Sequence, residues 1–182
     1  PLVPIFGTLF PRRPAERQAA AEAYRRLLHH ALQPRLYLDF AVPDTFEGRA
    51  GAVTLLSSLA FARLGRIGSA EASRMVRHLD GLILDGFDAA YREKGVGDHS
   101  IARKVRKLAQ GHAGMGKALF AALTGPEDSG AAVAAVLERN GLVPEAGARK
   151  LAGAARHMLD RLDGQPDTEI LAGAFDWVLP PP

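Results

Sequence analysis

Apolar residues return at alternating steps of four and three along much of the chain, the mark of helices that bury one face. The clearest stretch is Ile101, Val105, Leu108, His112, Met115, Leu119 and Ala122, which predicts a helix over about 98–123. Arg103, Arg106, Lys107, Gln110 and Lys117 lie opposite that stripe, with Lys104 on its flank. At 100° per residue the two groups fall on opposite sides, so the stripe is expected to be buried and the cations exposed. Similar stripes predict helices over 14–32 (Ala20, Tyr24, Leu27, Ala31), 44–64 (Leu56, Leu59, Leu64), 70–94 (Met75, Leu79, Leu82, Ile83, Phe87, Ala90, Tyr91) and 145–162 (Ala148, Leu151, Ala155, Met158, Leu162).

Capping residues and helix breakers separate these stripes. Pro14 opens the first helix, and Pro34 bounds it. Leu36–Val42 reads as a short extended piece. Asp44 and Glu47 have the spacing of a capping box at the start of the second helix. Gly65 and Gly68 mark the turn after it, and Ser69 caps the third. Gly81 and Gly86 inside that third helix suit a bend or the close approach of another helix. Gly95 is expected to end it in a left-handed conformation, with Asp98 capping the next three residues later. Asp128 or Ser129 opens a helix to about Arg139, closed by Asn140-Gly141, and Pro166-Asp167 opens a short last one ending near Trp177. With neither repeat nor linker, the pattern predicts one all-α domain of about seven helices over 14–179, behind an apolar and basic tail, 1–13.

Composition supports this picture. Alanine, the best helix former, occurs 32 times in 182 residues, and aromatics make up only 7%. The absence of cysteine excludes a disulfide scaffold, a thiol nucleophile and thiolate-held zinc or iron. A net charge of +3 permits anionic partners without demanding nucleic acid, and DNA is not expected. Uncharged runs such as Ala118–Pro126 fall far short of the ~20 residues of a membrane span. Pro1–Phe10 lacks the basic flank and cleavage site of a secretory signal. The lack of cysteine also fits a reducing compartment such as the cytoplasm.

Catalytic chemistry finds little support. Gly-His-Ala-Gly-Met-Gly at 111–116 sits inside a predicted helix rather than after a strand, so it does not read as a phosphate loop. No His-Glu-x-x-His pair exists. His112, on the apolar stripe, reads as a partly buried histidine with a polar partner. Asp80, Asp85 and Asp88 could be imagined around magnesium and a diphosphate, but no second acidic cluster faces them, and Asp88 is placed for an i,i+4 pair with Arg92. No catalytic residue, metal site or cofactor is therefore expected, and the chain does not read as an enzyme.

Two segments carry a resemblance. One is Asp44-Thr45-Phe46-Glu47-Gly48-Arg49, opening a helix that ends in Ala62-Arg63-Leu64. The other is Leu84-Asp85-Gly86-Phe87-Asp88 and Tyr91 through Asp98, followed by Ile101, Lys104, Val105 and Lys107. Their order and spacing over about 24–123 resemble the ubiquinol–cytochrome c chaperone family, whose mitochondrial members assist biogenesis of cytochrome b in respiratory complex III. The composition suits a bacterial member. Where the family carries an arginine and a tyrosine after the basic helix, His112, Gly114, Met115 and Leu119 stand here. The resemblance implies a non-enzymatic assembly chaperone that binds newly made cytochrome b or an early complex III intermediate. The ribosome and an anionic membrane surface remain open as further partners. Arg49, Arg92, Glu93, Arg103, Lys104, Arg106 and Lys107 are the candidates for client contact. Arg49, Arg92 and Glu93 also suit an ion-pair network between the second and third helices. Asp44, Thr45, Glu47, Gly48, Gly95, Gly97 and Asp98 form the structural motif. The alternative reading is a basic helical module that binds RNA or the ribosome.

Overall fold

The computed structural model describes residues 15–93, 98–125 and 129–181. Eight helices and no strand occur among the described residues: α1 (Ala15–Ala31), α2 (Pro34–Leu38), α3 (Phe46–Ile67), α4 (Ala70–Glu93), α5 (Asp98–Thr124), α6 (Ser129–Arg139), α7 (Glu145–Asp163) and α8 (Asp167–Leu171). The all-α expectation holds. The expected tail 1–13 and the corner formed by Gly95, Gly97 and the Asp98 side chain lie outside the described residues.

The core is organised around α3, which packs against α1, α4, α5, α7 and α8. Nine successive residues, Ala52 to Ala60, are buried, so this helix is covered on all sides. Its length and apolarity alone would suit a membrane span, yet most of it is enclosed by its neighbours. The hydroxyls of Ser57 and Ser58 both donate to the Thr54 carbonyl within the helix, which removes the cost of burying them unpaired. α1 lies on α4, where the Tyr24 hydroxyl occupies the space a side chain at Gly86 would need. This is the close approach that the glycine permits. α6 and α7 form a second layer, α6 against α5 and α7 against α3.

Arg63 joins the layers. Buried on α3, it donates from Nε to the Leu162 carbonyl (2.8 Å) and from Nη2 to the Gln165 carbonyl (2.9 Å), and it pairs with Asp167. It thereby satisfies the Gln165 carbonyl just past the end of α7 and adds a donor to the Leu162 carbonyl, which also accepts from the Gln165 amide.

Four local expectations need correction. Leu36–Val42 is not an extended piece, because Pro34 starts α2, which is held by an Arg35–Asp39 pair. α3 is capped by Thr45 rather than by an Asp44–Glu47 box. Thr45 has extended backbone (φ −118°, ψ 169°), and its Oγ1 accepts from the Gly48 amide at 3.0 Å. The residue three beyond this cap is glycine, which has no side chain to reciprocate. α3 also runs through Gly65 and stops only at Gly68, whose φ of 68° is left-handed. Finally, α8 ends at Leu171 instead of near Trp177. Gly173 turns the chain with φ 82°, and the Gln165 side chain then holds the extended segment by accepting from the Asp176 amide and donating to the Ala174 carbonyl. Phe175 and Trp177 stack in the core at 5.7 Å. The Ser69 cap is as expected, with its Oγ accepting from the Ala72 amide at 3.0 Å.

Candidate functional site

The two motif segments converge on one cleft. Its first wall is the start of α3 and the turn before it. The Thr45 cap fixes the direction of α3, and Gly48 allows the helix to settle against Pro43, whose carbonyl oxygen occupies the place of a side chain. Glu47 is thereby presented to the cleft. Phe46 packs on Tyr91 of α4 at 4.5 Å, which brings the ends of the two helices together. Burial pushes the Tyr91 hydroxyl pKa up, and the nearby Glu47 carboxylate adds to the shift.

The second wall is α5. Lys104 and Lys107, one turn apart, rim the cleft, and Leu108, His112 and Met115 lie deeper. Gly111 faces open space, and a side chain there would enter the cleft. The turn Asn140–Leu142 closes the far side, with Leu142 filling the space beside Gly51. The cleft is open to solvent and has a volume of about 640 Å3.

His112 forms the partition between this cleft and a second depression on the other side of α5. Its Nδ1 lies 2.8 Å from Thr54 Oγ1 and its Nε2 lies 3.3 Å from Asp80 Oδ1, while its ring meets Phe87 edge-on at 5.4 Å. Both nitrogens are thus engaged, the expected arrangement of a buried histidine with polar partners.

The predicted cations sort into three groups. Lys104 and Lys107 line the cleft, whereas Arg103 and Arg106 stand exposed on the crest of α5 away from it. Among the described residues none of the four forms an ion pair. Arg49 and Arg92 are instead used locally, Arg49 with Asp44 (2.8 Å) and Arg92 with Asp88 (2.7 Å). These two pairs are local to the start of α3 and to α4, and the Phe46–Tyr91 contact joins those helix ends. Glu93 is exposed at the end of α4. Gly111 and Asn140–Leu142 were not foreseen as parts of a site. Only their positions in space reveal that role, since Asn140-Gly141 signals a helix stop and Gly111 lies within a helix, and neither signals a cleft. His/Cys/Asp/Glu groupings able to hold a metal do not occur among the described residues.

A solved structure resembles the whole arrangement. The crystal structure of the Cbp3 homolog from Brucella abortus superposes with a TM-score of 0.74 at 27% identity, over 90% of this chain and 91% of that one. No match was found among curated proteins. The family model described as ubiquinol-cytochrome C chaperone matches residues 38–177, and thus spans both walls of the cleft and the Asn140–Leu142 turn that closes it. Motifs, cleft and matched span coincide, and the chain belongs to the ubiquinol–cytochrome C chaperone family.

Proposed function

We propose that this chain is an assembly chaperone of the ubiquinol–cytochrome c reductase complex, complex III, and that it holds newly made cytochrome b or an early intermediate containing it. The observation that carries the reading is the convergence of the α3 motif and two lysines of α5 on one cleft, with Lys104 and Lys107 exposed at its rim. A client with several apolar spans needs cover for its apolar segments before insertion, and helix packing offers grooves for them. Clustered exposed cations bring no folding advantage on their own, because like charges repel. They do attract acidic client loops and anionic lipid, which fits work at the cytoplasmic face of the inner membrane. The role needs no catalytic group.

Deletion of the gene should lower assembled complex III, read from the heme b absorbance of membranes, without lowering transcription of the complex genes. The tagged protein should co-purify with cytochrome b, and Lys104→Glu with Lys107→Glu should weaken that capture. Normal complex III in the deletion strain would overturn the reading. Capture of ribosomal RNA in place of cytochrome b would favour the RNA- or ribosome-binding alternative.

A further inference from the structure

The second depression lies between α4 and α5 with α3 as its floor, and the cleft on the other side of His112 does not account for it. Its volume is about 600 Å3, within the ~300–1,000 Å3 usual for small-molecule sites. Phe61, Val76 and Phe120 give it an apolar surface. Phe120 is 40% exposed, unusually open for a large aromatic side chain in this molecule, and its ring lies over Gly65. Two cations line the same trough, Arg77 from α4 and Lys117 from α5. Asp80 faces His112 across the antiparallel pair, which sets the register and brings Arg77 and Lys117 within about one turn of each other on opposite walls. Among the described residues neither forms an ion pair. The acidic group in the lining, Asp80, has one carboxylate oxygen engaged by His112.

The Asp80–His112 contact also limits what can lie here. It ties the two walls together at the depth of the buried His112 ring, so what lies here rests on the apolar side chains beside that contact. An extended hydrocarbon chain fits such a surface. The lining therefore pairs a narrow apolar surface with two cations, complementary to a molecule that has an apolar tail and an anionic head.

We propose that the α3–α4–α5 trough binds a single-chain amphiphile with an anionic head, its hydrocarbon on Phe61, Val76 and Phe120 and its head between Arg77 and Lys117. A fatty acid and a lysophospholipid share this chemistry. The proposal does not rest on the client reading: it concerns the opposite side of α5, and it can be tested on the purified chain without cytochrome b.

The probe is dansyl-labelled undecanoate, titrated into the purified full chain below its critical micelle concentration. Its fluorescence should rise saturably, and dodecanoate or lysophosphatidylglycerol should displace it; the stronger competitor identifies the source. Dodecanol, which lacks the charge, should compete at least tenfold more weakly. Arg77→Glu with Lys117→Glu should weaken the carboxylate probe by tenfold or more and leave dodecanol unchanged, and both sites are on the surface, where folding is spared. Gly116→Phe should block probe and dodecanol alike. Gly116 faces the trough, with Ser58 Oγ 3.8 Å from where its side chain would start. No saturable signal with the wild-type chain would overturn the proposal, as would equal binding by wild type and the charge-reversed variant.

Discussion

Arg63 and the cations of α5 do opposite things with the same kind of charge. Arg63 is buried on α3, and its guanidinium is held by two carbonyls and a carboxylate at the junction with α7 and α8. Arg103, Lys104, Arg106 and Lys107 are exposed on one helix and are without ion pairs among the described residues. A buried cation is retained only where its bonds are made, so Arg63 serves the fold. An exposed cluster is stabilised mainly by water and weakened by its own repulsion, so its value lies in what it meets. Location and partners, rather than residue type, separate the two roles, and substitutions can test the separation.

The largest effect should come from Arg63→Ala. It strands the Gln165 carbonyl, takes one of its donors from the Leu162 carbonyl and leaves Asp167 without its partner, and a loss of about 3 kcal/mol is expected by denaturant unfolding. A loss under about 1 kcal/mol would break the comparison on its buried side. Next is Gly48→Ala, where the new methyl meets the Pro43 carbonyl oxygen. Overpacking of this kind should cost about 2 kcal/mol and distort the cleft wall, whereas Thr45→Ala removes only the cap and should cost about 1 kcal/mol.

Reversing Arg103, Arg106 and Lys107 together should leave stability within about 0.5 kcal/mol of wild type. Client or membrane association should still weaken, and the loss should shrink as salt rises, because exposed charges are screened over about 8 Å at physiological ionic strength. Unchanged binding at low salt would break the comparison on its exposed side. The smallest effect concerns Glu22, whose carboxyl pKa is lowered to about 2 by hydrogen bonds from Arg25 and Arg26. A carboxyl held low in the folded state adds stability above its ordinary value near 4.5, and that stability is lost as pH falls towards 2. Melting curves of Glu22→Gln should therefore show a slightly flatter acid dependence over that range than wild type.

Much of the fold was legible because the local signals agree with one another. The stripe from Ile101 to Ala122, the Ser69 cap and the Asn140-Gly141 stop each state one outcome, and Gly141 does take a left-handed φ of 68°. α2 was misread because distant residues help define its surroundings: Arg35 reaches the Pro180 carbonyl. The α3 cap was misplaced by one residue because Asp44 and Thr45 are both good caps, and the packing of Gly48 on Pro43 decides between them. The cations of the site could be read from helical spacing alone. The cleft could not, since its closing turn, Asn140–Leu142, is brought beside Gly51 only by the packing of the α6–α7 layer.

The segment after α8 has a consequence for the order of events during synthesis. Gly173 fits so closely that the Ala19 carbonyl of α1 fills the place of its side chain, and Pro180 accepts from Arg35 across a separation of 145 residues. The first two helices of the described chain therefore complete their surroundings with residues translated long after them. Contacts of such long range form late and slow the closing step. On the ribosome, α1 and α2 would wait with part of their packing surface open until residues 173–180 have cleared the exit tunnel. A chain stalled before that point would lack its final latch and should be an easy target for proteases.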